Sequence, residues 1–304
     1  MLFDSLSGRH FLVAVAIILS SVALSTQPVF SQGEEETEES HQDVMEGQNP
    51  FQELLNSLNW TKGPNRVPIE LIATLDLPEG LRSIASADTQ KLQKFVGNNT
   101  SEAELLTVAP EVWGDWFILF SWDDCGYVKD EDRDELDGDT LLKSMRENQE
   151  ADNKRRKAAG LPTLTIDSWA VPPRYNEKSN HLEWATRLKT DSGEAVINYQ
   201  TRVLGRNGVM SVILVCPTEE LGALSQRTNE LLKSFSYSSG EKYAEYKKGD
   251  KVAQYTLAGL VTGGGIAVLA KAGLLQKFWK VLIIPILAAG AFLKRIFGGK
   301  AKSK

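Results

Sequence analysis

The 304-residue sequence predicts an α+β fold, an antiparallel sheet with helices packed on it, set between an N-terminal signal segment and a C-terminal transmembrane region. Three observations lead there. Four strand-length apolar runs between residues 163 and 216 are joined by short turn-forming links, which favours antiparallel pairing. Stretches with helical periodicity flank those runs on both sides. Both ends of the chain carry uncharged apolar stretches longer than any in the middle.

At the N-terminus, Arg9 precedes residues 11–24 (FLVAVAIILSSVAL), a run too short for a comfortable span and the right length for a signal core. Ala23 and Ser25 form a small-x-small pair, so residues 1–25 read as a signal peptide. The like-charge run EEETEES after Gly33 cannot bury enough apolar surface to order itself, and residues 26–48 read as an acidic disordered tether.

Residues 49–240 read as an extracytoplasmic α+β domain. Asn49 before Pro50 starts a helix, with Phe51, Leu54, Leu55 and Leu58 at helical spacing up to Asn59. Residues 67–75 form a strand that LPEG ends, and residues 88–95 a helix capped by Asp88. Residues 116–122 (WFILFSW) are a central strand. Residues 140–159 form a helix with Asp137 and Asp139 at its start, a basic run from Lys154 to Lys157 in its last turn, and Gly160 as its stop. Strands follow at 163–169, 181–188, 195–203 and 209–216, with joints at Pro172-Pro173, Asp191-Ser192-Gly193 and Asn207-Gly208. A helix over 218–234 carries Leu221, Leu224, Thr228, Leu231, Leu232 and Phe235 on one stripe and covers a sheet face.

Residues 241–253 then read as a linker and 254–276 as a transmembrane helix. The uncharged run 255–270 reaches spanning length only by taking in residues 272–275, with Lys271 snorkelling toward the headgroups. Residues 277–304 hold a second apolar run, 281–293, that contains Pro285 and lies at the interface or forms a second span. A basic tail follows, and the positive-inside tendency places it in the cytoplasm. Gly259 and Gly263 form a GxxxG pair through which two copies can approach; the plainer reading is that small residues are frequent in membrane helices.

Several chemistries are disfavoured. A formal charge of -6 and the lack of a basic stripe argue against nucleic-acid binding. The only histidines are His10, His41 and His181, so the body has one, without zinc-ligand spacing or a paired nucleophile. Residues 205–208 (GRNG) lack the Lys and Ser/Thr of a phosphate loop, so no cofactor is implied. Cys125 and Cys216 are candidates for one disulfide, or else two buried thiols.

The densest polar group is the acidic loop 123–139, where Asp130, Asp132 and Asp134 offer hard oxygen ligands for calcium or magnesium. The EF-hand pattern fails there, because Glu135 stands where glycine is required and Leu141 where a bidentate glutamate belongs. The rival reading is a solvated loop that caps the next helix. Arg174, Lys178, Arg202 and Arg206 face an acidic partner or pair internally. The aromatics Trp113, Trp116, Trp122, Tyr127, Trp169, Tyr175 and Trp184 stack on envelope sugars or build the core.

Six blocks carry a resemblance: GYVKDEDRDELDGDTLLKSM at 126–145, NKRRKAAGLP at 153–162, WAVPPRY at 169–175, LEWA at 182–185, INYQTRVLGRNGV at 197–209 and KVAQYTLAGLVTGGG at 251–265. In this order they resemble the predicted membrane-anchored bacterial proteins that carry domain of unknown function 2167. The resemblance covers nearly the whole exported chain. It implies an exported body and a C-terminal membrane segment, and brings no activity, cofactor or catalytic residue. The strand, hairpin and helix that end the body are also similar in arrangement to PsbP-like extrinsic proteins.

The sequence therefore leads to a protein of the bacterial cytoplasmic membrane, with its body outside and its tail in the cytoplasm. It reads as a non-catalytic interaction module whose partners are the lipid bilayer through the C-terminal segment, an unidentified envelope protein, and a second copy through Gly259 and Gly263. The alternative is a divalent-metal-binding or carboxylate-based hydrolytic domain built on the acidic loop 123–139.

Overall fold

Three runs, FILFSWD, AVINYQTRVL and VMSVILVCP, are buried along nearly their whole length, which marks them as the middle of a sheet covered on both faces. In the computed structural model, which describes residues 50–263 apart from 97, 99, 159, 161, 162 and 192, they are β6 (Phe117–Asp123), β9 (Ala195–Leu204) and β10 (Val209–Pro217). They belong to an eight-stranded antiparallel sheet of order β1-β4-β5-β6-β10-β9-β8-β7. The other members are β1 (Thr61–Lys62), β4 (Leu81–Ala85), β5 (Glu104–Pro110), β7 (Leu164–Asn176) and β8 (His181–Thr190). A second sheet of order β11-β3-β2 is built from β2 (Asn65–Ile69), β3 (Ala73–Leu77) and β11 (Ser236–Tyr237).

Helices α1 (Pro50–Ser57), α2 (Ser86–Phe95), α3 (Gly138–Ala158) and α5 (Leu257–Thr262) cover one face of the large sheet. Phe51, Leu92, Met145 and Leu260 meet Phe117, Trp184, Leu188 and Ile213 there. The small sheet and α4 (Leu221–Leu232) cover the other face, where Leu75, Leu224 and Leu231 meet Phe120, Tyr199 and Leu214. The α+β class with a large antiparallel sheet is as the sequence predicts. The 3.6-residue stripe of α4 faces the sheet through Leu224, Thr228, Leu231 and Leu232.

Several elements differ from expectation, each for a physical reason. Residues 67–75 are a hairpin, not one strand, because the chain reverses at Glu70, whose φ of 47° is left-handed backbone that no glycine or asparagine announces. The Pro172-Pro173 joint is not a break. β7 runs through it because an edge strand needs no hydrogen bond on its outer side, and its register shifts between Val171 and Arg174. Those prolines and the two-residue β1 also blunt both edges of the large sheet. Asp88 does not cap α2. Its carboxylate accepts the backbone and side-chain N–H of Asn59, each at 2.8 Å, tying the end of α1 to α2. β4 and β5 were missed, being short runs with little alternation.

Cys125 and Cys216 are both free. β10 sets Val209 opposite Asp123 and Val215 opposite Phe117, so the two cysteines lie beyond opposite ends of that pairing. Six residue steps at about 3.3 Å each separate those ends, far beyond disulfide reach.

Residues 241–253, read as a linker, lie against the body, as described below. Of the segment read as a transmembrane helix, α5 is described, ended by Gly263 in left-handed geometry (φ 65°). Among the described residues no helix is long and apolar enough to cross a membrane. The remainder of that segment, the signal peptide, the acidic tether and the second apolar run lie outside the described residues.

Phe120 is fully buried on the central strand β6. Phe120→Ala is expected to lower unfolding free energy by about 3–5 kcal/mol, read as a shift in urea midpoint at constant m-value.

Candidate functional site

The acidic loop leaves β6 at Asp123 and leads into α3, and its first task is local. Asp137 caps α3: its carboxylate accepts the Thr140 N–H at 2.8 Å and its carbonyl the Leu141 N–H at 3.0 Å. The indole N–H of Trp169 donates to the Gly138 carbonyl at 2.9 Å, fixing the start of α3 on β7.

Its second task is long-range. Asp132 is only 2% exposed, and its carboxylate accepts the N–H groups of Leu257 at 3.2 Å and Ala258 at 3.0 Å. These amides belong to the first turn of α5, where a helix leaves its N–H groups without internal acceptors. A negative charge at that end also meets the positive end of the backbone dipoles. At the far end of α5, the Asn148 side-chain amide of α3 donates to the Thr262 carbonyl at 2.9 Å. Every residue of α5 is buried. The helix is thus held at both ends and along its apolar length.

The segment leading into α5 is held by the same loop. Tyr127 donates its N–H to Lys251 O at 2.8 Å and accepts from Ala253 N–H at 2.9 Å, a parallel bridge around Val252. Gly126, at φ 95°, permits the approach, since a Cβ there would lie 2.7 Å from Lys251 O. The Tyr127 ring stacks between Tyr243 and Tyr246, at 4.5 and 4.1 Å. The Tyr255 hydroxyl donates to Asp123, and the Lys251 ammonium lies 3.7 Å from Asp124. From the β9–β10 turn, Arg206 grips Asp250 with two hydrogen bonds of 2.7 and 2.8 Å. That pairing, with the Lys247 amide adding to it, holds the Asp250 carboxyl down at about 2. Gly208 closes the turn where a Cβ would overlap the Asp123 carbonyl.

The three carboxylates expected as metal ligands have separate surroundings. Asp132 is turned to the α5 amides, Asp130 lies 3.9 Å from Arg133, and Asp134 is exposed. Among the described residues no three His, Cys, Asp or Glu side chains come together as metal ligands. Burial pushes the Cys125 thiol up to about 12, with the Asp123 charge adding to it, so it stays protonated near neutral pH. His181 is lowered by burial.

Arg174 and Arg206 pair internally, with Glu183 at 3.0 Å and with Asp250. Arg202 is buried, its Cζ 4.9 Å from the Trp184 ring centre, and burial pushes it down to about 10. Trp116 and Trp184 are core residues. Sequence reasoning missed Tyr243, Tyr246, Asp250 and Lys251. The one available signal was the alternation of aromatic and charged residues in YAEYKKGDK, which a loose spacer does not need.

A family model described as Protein of unknown function (DUF2167) matches residues 61–293. No curated protein matches the chain. Among solved structures, the solution structure of cyanobacterial PsbP (CyanoP) from Synechocystis matches at 10% identity and a TM-score of 0.34, covering 60% of this chain and 93% of that one. The Saccharomyces cerevisiae Ran-binding protein Mog1p matches at 9% identity and a TM-score of 0.33, covering 63% and 100%.

Asp132→Ala strips two buried amides of their acceptor and is expected to cost about 1–3 kcal/mol. Amide hydrogen exchange should quicken first at Leu257 and Ala258. A depressed carboxyl stabilises the folded state above its unfolded value and loses that contribution as pH falls through its folded one. The Arg206–Asp250 contribution is therefore complete above about pH 4 and is lost toward about pH 2. Proteolysis of residues 241–253 should rise over that window, and Asp250→Asn should reduce the pH dependence, leaving the part due to Glu245, which the Lys242 and Gly240 amides also hold low.

Proposed function

We propose, from the premise that the chain belongs to the DUF2167 family of proteins of unknown function, that it is a membrane-anchored extracytoplasmic module. In this reading it is non-catalytic, and its α+β body is held in a set orientation to its own C-terminal membrane segment. The observation that carries the reading is the Asp132 carboxylate closed on the Leu257 and Ala258 amides. A tether that only keeps a body near a bilayer needs no buried clamp. This one is gripped by a carboxylate, an ion pair, a tyrosine stack and a buried helix immediately before the downstream apolar residues.

The sequence beyond the clamp supports anchoring. Residues 264–293 are mostly apolar, interrupted by three lysines, and a basic tail follows, so the positive-inside tendency places that tail in the cytoplasm and the body outside. The N-terminal run over residues 11–24 supplies the export signal such a topology needs. The acidic loop, the natural place for carboxylate chemistry, has its buried carboxylate engaged by backbone amides. That favours a body that presents a surface to an envelope partner over one that turns over a substrate.

The full chain should sediment with membranes and resist extraction by high salt and alkaline carbonate, whereas a chain ending at Gly263 should be released. Protease added to spheroplasts should digest the body. Recovery of the full chain in the soluble fraction would overturn the anchoring. In-cell crosslinking that captures nothing beyond lipid would overturn the interaction role.

A further inference from the structure

Helix α3 carries opposite charge at its two ends. Around its start Asp134, Glu135, Asp137 and Asp139 are exposed. In its last turns Lys154, Arg155 and Lys157 are exposed, while Arg156 is buried. At 1.5 Å per residue the 21-residue helix is about 30 Å long, several Debye lengths at physiological salt, so each end meets the field of a charged surface separately. The backbone dipole favours acids at a helix start and bases at its end. The acidic end exceeds that need, because Asp124, Glu131 and Glu177 are also exposed on the adjoining loops, with Lys129 and Arg133 paired among them. At the basic end Arg155 pairs with Asp152 at 2.6 Å, and Lys157 acts on Asp191, whose carboxylate accepts the Thr163 N–H at 3.1 Å. These are surface pairs that solvent weakens.

α5 lies along α3 and runs in the same direction. Fixed points on β7 establish the course of α3: Arg133 reaches Glu177, just past the end of β7, at 2.8 Å, Gly138 is held by Trp169, and Asn153 exchanges two hydrogen bonds with Leu164 at 2.6 and 2.9 Å. The first turn of α5 is gripped by Asp132 at the acidic end, and its last residue, Thr262, by Asn148 halfway along. The chain therefore travels from the acidic end toward the basic end as it leaves the body. Past Asn148, α3 continues for about 15 Å. The flank that meets Thr262 continues there as Ala151 and Arg155, three and seven residues on, both exposed.

We infer that the body stands on the bilayer through the basic end of α3, with Lys154, Arg155 and Lys157 against anionic phospholipid headgroups and the acidic end turned away. The inference rests on the membrane-anchored reading above. Headgroup phosphates accept from ammonium and guanidinium N–H groups, and the same surface repels the acidic loop, so both ends of α3 favour one orientation. α5, buried and clamped at both ends, ties that orientation to the residues that follow it. Tethering also keeps the cations at high effective concentration over the headgroups, so a few of them suffice.

The test is amine acetylation of the full chain in nanodiscs, read lysine by lysine by mass spectrometry. One set of discs is phosphatidylcholine alone and the other contains equal parts of phosphatidylcholine and phosphatidylglycerol. Lys154 and Lys157 should react about fivefold more slowly in the phosphatidylglycerol discs, and the difference should shrink in about 0.5 M sodium chloride. Lys129 and Lys178, exposed at the acidic end, should react alike in both. In an Arg155→Gln, Lys157→Gln double variant, Lys154 should regain most of its reactivity. Equal rates in the two discs, or slowing at Lys129 and Lys178 instead, would overturn this orientation while leaving the anchoring intact. Failure of the chain to elute with either disc would overturn the anchoring, and the orientation with it.

Discussion

The central strands β6, β9 and β10 are apolar toward both faces, and the rest of the molecule follows from the need to cover both. One face takes the small sheet and α4, which are contiguous in space because β11 follows α4 and pairs with β3. The other face is wide and draws its cover from distant parts of the chain: α1 and α2 over the β4–β5 side, α3 over β7, and α5 beside α3. The C-terminal apolar residues are pulled into the body because this face has room for them. A Leu-Ala-Gly-Leu-Val turn packed there removes more apolar surface from water than the same turn left beside the protein.

Bringing a helix N-terminus into a core creates a second constraint, because its first amides lose water without gaining a helical acceptor. Asp132 answers it, and its own burial is tolerable only because those amides answer its charge in turn. The acidity of the loop follows the same logic. Asp123 meets Tyr255, Asp124 lies near Lys251, Asp132 meets α5 and Asp137 meets α3. A run that looks like a single anionic patch is divided among separate partners, and that division is why its carboxylates do not converge on one point.

A buried polar strip on β8 and β9, formed by Thr186, Asn198, Gln200 and Arg202, is the place where the core departs from the rule that governs its surroundings. Leu182, Leu188, Val196 and Leu204 frame it with ordinary aliphatic packing. Departures of this kind carry a cost in stability.

The class of fold was legible because periodicity is local: the stripe of α4, the caps of α3 and the Asn207-Gly208 turn between β9 and β10 are each written within a dozen residues. The charged stop of α3 and the apolar strand β6 were legible for the same reason. The reversal at Glu70, the passage of β7 through two prolines and the roles of Asp88 and Asp132 were not. Each depends on a partner distant in sequence or on a position at the sheet edge. The sequence by itself determined the α+β class and the longer helices and strands, because their periodicity is local. Only the tertiary structure decided that the acidic loop grips α5. The hydrogen bonds from Leu257 and Ala258 to Asp132 join residues 125 and 126 positions apart, and no local pattern records an acceptor at that distance.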